Sequence, residues 1–260
     1  MYTYYIIYMA YFTVFITILT IIVNVAATAI PLGGLTTKEL SDSFKVFFVP
    51  AAYVFSIWGV IYIALLVFSF SQLKKKIVNS KLLGEVRIWY LISSLANITW
   101  IVLWQYHFPT LSIIPMIVLL LSLIAIYLKL SKSKEMKEGN NKYLIKLPIS
   151  IYLGWISVAT IANAAVFLYV LNWNGFGIAP QAWSAFMILV AGVLGMIMLY
   201  REKDYAYAIV LIWATVGILV KFMFASRAVG FAATFVAILL TVFSVAIYLE
   251  DRRKINSKKK

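Results

Sequence analysis

The sequence predicts an all-α, polytopic integral membrane protein with about eight transmembrane helices. Two observations carry this. First, 64% of the 260 residues are apolar and only 12% are charged, with a mean hydropathy of +0.96. That leaves too little polar surface to clothe a water-soluble globule. Second, runs of about 20 apolar residues, each long enough to cross a bilayer as a helix, recur along the chain. They fall at roughly 5–30, 51–71, 87–106, 111–130, 148–171, 181–200, 205–225 and 229–249.

The first run holds an Ala-x-Ala in "VAATAI", the mark of a signal cleavage site. However, residues 1–30 contain no Lys or Arg, and the run is too long for a signal core. It is therefore expected to stay as a helix. The chain leaves it through "PLGGLTTKELSDSF", where Pro31, Gly33 and Gly34 break the helix and Thr36-x-x-Glu39 reads as a capping box. A short interfacial helix there would either cover the mouth of an interhelical pocket or serve as a plain connector. The third run ends at His107, the single histidine, expected at the interface. The longest polar link, around 131–147, is too short for an aqueous domain. In the sixth run Ala191-x-x-x-Gly195 allows close helix packing. In the seventh, Lys221 lies about one turn from the end, where it can snorkel to water.

Charge orients the chain. Lys and Arg number 23 against 9 Asp and Glu, a net +14. With the turns that flank them, the second, fourth and sixth loops and the C-terminal tail hold 19 of the 23 basic residues, and the other loops hold 4. The positive-inside rule then puts both termini in the cytoplasm of a protein integral to the plasma membrane. The "KKK" runs at 74–76 and 258–260 are expected to touch anionic head groups. Topology accounts for the basic residues, so the lipid bilayer is the expected partner and nucleic acid is not.

Several chemistries are excluded. Without cysteine there is no disulfide, thiolate nucleophile or cysteine-ligated metal. One histidine cannot build a multi-histidine metal site. Phosphate-binding loops, Gly-rich dinucleotide turns and Ser/His/Asp sets are missing, and no catalytic residue is assigned. No Asp or Glu falls within a span; Glu85, Glu202, Asp204, Glu250 and Asp251 sit at span ends, and Lys221 is the one charge expected to enter. Ion-coupled transporters usually carry a buried carboxylate.

Uncharged polar and aromatic side chains do lie within the spans, in order. At 100° per residue, Tyr152, Trp155, Ala159 and Asn163 share one face of the fifth run, within about 80°. Ser93, Asn97, Trp100 and Trp104 occupy about 60° of the third, and Phe55, Trp58 and Tyr62 share a face of the second. Trp89 and Trp104 fit an interfacial aromatic belt. Trp155 and Asn163 lie nearer mid-span. The amides of Asn97 and Asn163 can glue helices or line a ligand site, and both readings stay open.

At these residues the chain resembles the TspO/MBR family, the tryptophan-rich sensory proteins that include the mitochondrial translocator protein. "YLGWISVATIAN" is similar to the family's last-helix Tyr-x-x-Trp-x-x-x-Ala-Thr-x-x-Asn. "LANITW" resembles its Leu-x-Asn-x-x-Trp, and "PAAYVFSIWGVIY" resembles Pro-Pro-x-Trp-x-Phe followed by Trp-x-x-x-Tyr. Ala51 replaces the second proline, Tyr53 replaces the tryptophan, and Phe55 to Trp58 is one residue shorter. The resemblance implies a five-helix bundle over 1–172; three additional helices over 173–250, which compact five-helix members lack, and a basic tail, 251–260, follow it. It also implies a pocket lined by Trp58, Tyr62, Asn97, Trp100, Tyr152, Trp155, Ala159 and Asn163. A tetrapyrrole is the candidate ligand and no cofactor is required; a porphyrin or sterol-like molecule and a second copy of the chain are candidate partners. The function so implied is a membrane receptor or sensor for a flat apolar ligand such as a porphyrin or lipid. A permease for a small hydrophobic solute and a porphyrin-degrading enzyme are the alternatives.

Overall fold

The computed structural model of the chain describes residues 2–30, 32–78, 80–133 and 139–257. Pro31 and the lysine run 258–260 lie outside the described residues, as do the side chains of Lys75 and Lys76. Among the described residues there is no strand, and eight helices are long and apolar enough to cross a membrane.

In chain order the helices are α1 (Tyr2–Ala29), α2 (Thr37–Ser43), α3 (Ile57–Ser71), α4 (Lys75–Val78), α5 (Lys81–Gln105), α6 (Pro109–Lys132), α7 (Leu147–Val170), α8 (Pro180–Glu202), α9 (Tyr205–Phe222) and α10 (Arg227–Ser257). Their ends follow local chemistry. Pro109, Pro148 and Pro180 sit in first turns, where a missing N–H costs nothing. Ser80 and Asp204 cap α5 and α9 by accepting from Leu83 N and Tyr207 N. α3 is entered through a 3-10 turn, Ala52–Ser56, and α7 through a π-turn, Lys142–Lys146. α10 continues as helix through Ser257, into the segment expected as a tail.

The chain forms two compact units. The first comprises Met1–Lys45 and Phe55–Asn172, and its five long helices close into a ring in the order α1, α5, α6, α7, α3 and back to α1. The second comprises Val46–Val54 and Trp173–Lys260, where α8, α9 and α10 pack on one another. Gly192 and Gly195 make the close approach there: a Cβ on either would lie 2.9 Å or less from Val236, Leu211 or Leu240. The small-residue spacing on α8 therefore serves packing.

Lys221 is not the only basic residue inside a span. α5 starts at Lys81, earlier than hydropathy suggests, so Arg87 belongs to the helix and is fully buried. Its Nε donates to Gln72 Oε1 at 2.8 Å and an Nη donates to the Val78 carbonyl at 2.9 Å. Counting Arg87 with the basic residues that flank the second loop misses this burial, because the groups that satisfy it come from the segment before α5, which a linear reading cannot bring back against the helix.

Candidate functional site

In the first unit, spacing of three and four residues puts Phe55 and Trp58, then Tyr62, on one side of the 3-10 turn and α3. The same spacing puts Trp100 and Trp104 on α5, and Tyr152 and Trp155 on α7. The ring of helices turns these faces together, with Trp58 at the centre. Its ring lies 5.7 Å from Tyr62 and 6.4 Å from Trp100, nearly parallel to both. Tyr152 and Trp155 meet it edge-on at 6.3 and 6.1 Å. Trp155 also meets Phe55 edge-on, and Trp100 stacks on Trp104 at 6.2 Å. Offset-stacked and edge-to-face pairs at such distances are the favourable ring geometries. Trp100, Tyr152 and Trp155 are buried, whereas Trp58 and Tyr62 are half-buried.

A polar chain abuts the rings. Asn24 on α1 donates from Nδ2 to Asn97 Oδ1 at 2.6 Å, and Asn97 Nδ2 donates to the Tyr152 hydroxyl at 3.0 Å. Two turns back, Tyr90 and Thr17 hydroxyls pair at 2.8 Å. The Thr17 proton goes to the Thr13 carbonyl, so Tyr90 is the donor. The sequence reading assigns α1 as a span but gives it no part in the site. Its signal was present: Thr13, Thr17, Thr20 and Asn24 recur at four, three and four residues within an apolar run, and all four are buried.

Asn163 is engaged elsewhere, about 12 Å of helix rise from Trp155. It donates to Ser112 Oγ on α6 at 3.0 Å, and Ser112 donates in turn to the Pro109 carbonyl at 2.8 Å. The amide thus ties α7 to α6. Ala159 is half-buried between the two levels.

The far end of α5 corrects another expectation. Trp104 sits at the end of its span but does not face outward as a belt residue would: it is 4% exposed, stacked on Trp100, and its ring lies 6.0 Å from Phe44. The loop after α1 folds over it. The capping box forms, with Thr36 N donating to Glu39 at 2.8 Å and Glu39 N to Thr36 Oγ1 at 3.2 Å. These bonds, the backbone one first, hold the Glu39 carboxyl below the usual carboxylate range. Gln105 Nε2 donates to Thr37 Oγ1 at 2.8 Å, and His107 Nε2 pairs with the Gly33 carbonyl at 3.0 Å. Gly33 must be glycine, since a Cβ there would lie 1.8 Å from the Gln105 carbonyl oxygen. α2 is therefore fastened to the end of α5.

A family model described as TSPO-like protein matches residues 10–246. The chain belongs to the TSPO-like family. The match reaches beyond the first five spans, which carry the recognisable motifs, and takes in the three that follow. No curated protein and no solved structure matches the chain.

Within this TSPO-like protein the second unit explains the altered Pro-Pro motif. Ala51 N donates to the Gly217 carbonyl on α9 at 3.0 Å, a bond that proline cannot make. Tyr53 meets Trp213 edge-on at 5.2 Å, and Trp213 Nε1 donates to the Val54 carbonyl at 3.1 Å. Both departures are thus fitted to α9.

Proposed function

We propose that this TSPO-like protein is a membrane receptor or sensor that binds a flat apolar ligand, such as a porphyrin or a lipid, on the aromatic cluster of its five-helix unit. The observation that supports this is the state of Trp58. Four rings surround it at 5.7–6.4 Å, yet it and Tyr62 remain half-buried. A planar ligand gains by stacking on such a face, and the cluster already holds its rings at stacking orientation.

In this reading Trp58, Tyr62, Trp100, Tyr152 and Trp155 offer ring surface. Asn97 holds Tyr152 in place, and Ala159 leaves room beside the rings. Asn163 fixes the helix that carries Tyr152 and Trp155. No cofactor is required for binding. Both termini face the cytoplasm and the bilayer is the plasma membrane, as the distribution of basic residues suggests.

Titration of the detergent-purified protein with protoporphyrin IX, followed by intrinsic tryptophan fluorescence, tests the proposal. Saturable quenching is expected, and Trp58→Leu should weaken binding about tenfold, the scale of a lost aromatic contact. Quenching that never saturates, or an affinity unchanged in Trp58→Leu, would refute it.

A further inference from the structure

The hydrogen-bond chain that reaches the cluster has one fixed direction. A single backbone atom fixes it. The Thr20 carbonyl can only accept, and it lies 2.9 Å from Asn24 Nδ2, so the nitrogen end of the Asn24 amide is determined. That nitrogen also lies 2.6 Å from Asn97 Oδ1. Turning the Asn97 amide over would set two NH2 groups against each other. Asn97 therefore presents its nitrogen to Tyr152, and the Tyr152 oxygen accepts at 3.0 Å. The hydroxyl proton of Tyr152 is not given to Asn97. Among the described residues the hydroxyl makes no other hydrogen bond.

Two more donors share the cluster. The indole N–H groups of Trp100 and Trp155 are buried and have no hydrogen-bond partner among the described residues. Buried polar groups in native proteins are nearly always paired, and unpaired ones call for an explanation. Around Trp58, then, the buried unmatched hydrogen-bonding capacity consists of three protons: one phenolic and two indolic. The Asn24 nitrogen and both polar atoms of the Asn97 amide are turned along the chain and do not answer them.

We infer that the cluster selects flat ligands that carry a hydrogen-bond acceptor — a ring nitrogen, a carbonyl or a carboxylate — over equally flat ligands with only C–H edges or with donors. This rests on the aromatic site proposed above and adds the chemistry of its ligand. Asn24 acts as a positioning residue. By fixing the polarity of Asn97 it keeps the Tyr152 proton available.

Three tricyclic probes of nearly one outline separate the cases: acridine, with a ring-nitrogen acceptor; anthracene, with C–H only; and carbazole, with an N–H donor. Each is titrated at pH 8, where acridine is uncharged, into the purified full chain, with tryptophan fluorescence as the readout. Acridine should bind at least tenfold tighter than anthracene, and carbazole no tighter than anthracene. Tyr152→Phe should cut the preference for acridine over anthracene severalfold. Asn24→Leu should do the same, because Asn97 can then rotate and take the Tyr152 proton. Should Asn24→Leu fail to fold, Tyr152→Phe decides alone. Equal affinities for acridine and anthracene would overturn the inference while leaving the aromatic site standing. So would an acridine preference that is undiminished in Tyr152→Phe. Absence of saturable quenching by all three probes would instead remove the aromatic site, and this inference with it.

Discussion

Gly217 on α9 is the position where one added carbon has the most definite consequence. A Cβ there would lie 2.1 Å from Val54 Cγ2 and 3.1 Å from Pro50 Cβ. Ordinary contact begins at 3.4 Å, so Val54 would have to retreat by about 1.3 Å. It has nowhere to go: Val54 is fully buried, and its carbonyl is held by Trp213 Nε1. Overpacking of this kind costs about 1–3 kcal/mol. Displacing the segment also strains the bond from Ala51 N to the Gly217 carbonyl, whose net worth is about 0.5–1.5 kcal/mol. Gly217→Ala should therefore destabilise the second unit by roughly 2–4 kcal/mol. Thermal unfolding in detergent measures this directly. The chain has no native cysteine, so Tyr53→Cys gives a single site, and its maleimide labelling should quicken in Gly217→Ala. Val54→Ala removes the clashing methyls, and the double variant should recover part of the loss as a coupling energy between neighbours. The reasoning fails if Gly217→Ala melts with the wild type, or if the double variant loses the full sum of the two singles.

Other expectations follow from single contacts. Asn163→Leu removes the tie to Ser112 and should cost about 0.6 kcal/mol, the average for a hydrogen bond between membrane helices, seen as a lower melting temperature with protoporphyrin affinity unchanged. Arg87→Ala strands Gln72 Oε1 and the Val78 carbonyl; with charged bonds worth about 1.5–3 kcal/mol each, unfolding should shift to clearly lower temperature. The depressed Glu39 carboxyl supports α2 above its unfolded pKa, and that support is lost as pH falls through the lower folded value. Amide exchange in α2 should quicken on acidification, and Glu39→Gln should flatten that pH dependence. For topology, a reporter enzyme active only outside the cytoplasm should be silent when fused at residue 260 and active when fused after Asn174.

The spans were legible in the sequence because lipid imposes a one-dimensional rule. A helix must be apolar for about 20 residues wherever it crosses, and no distant partner can waive that. Capping residues act over a single turn, so the Thr36–Glu39 box could also be read locally. The faces bearing Trp58, Trp100 and Trp155 were visible too, since helical period decides which residues share a side. Which faces meet is another matter, and only tertiary structure settled it. Trp104 reads as a belt residue until Phe44 and Trp100 are seen packed on it. Arg87 reads as a loop charge until the turn before α5 folds back to accept its protons. Asn97 and Asn163 are alike in sequence, an amide on an aromatic face. One joins α1 to the Tyr152 hydroxyl and the other binds Ser112. An amide can donate and accept, and nothing within its own helix fixes which partner it finds; the order of helices around the bundle does.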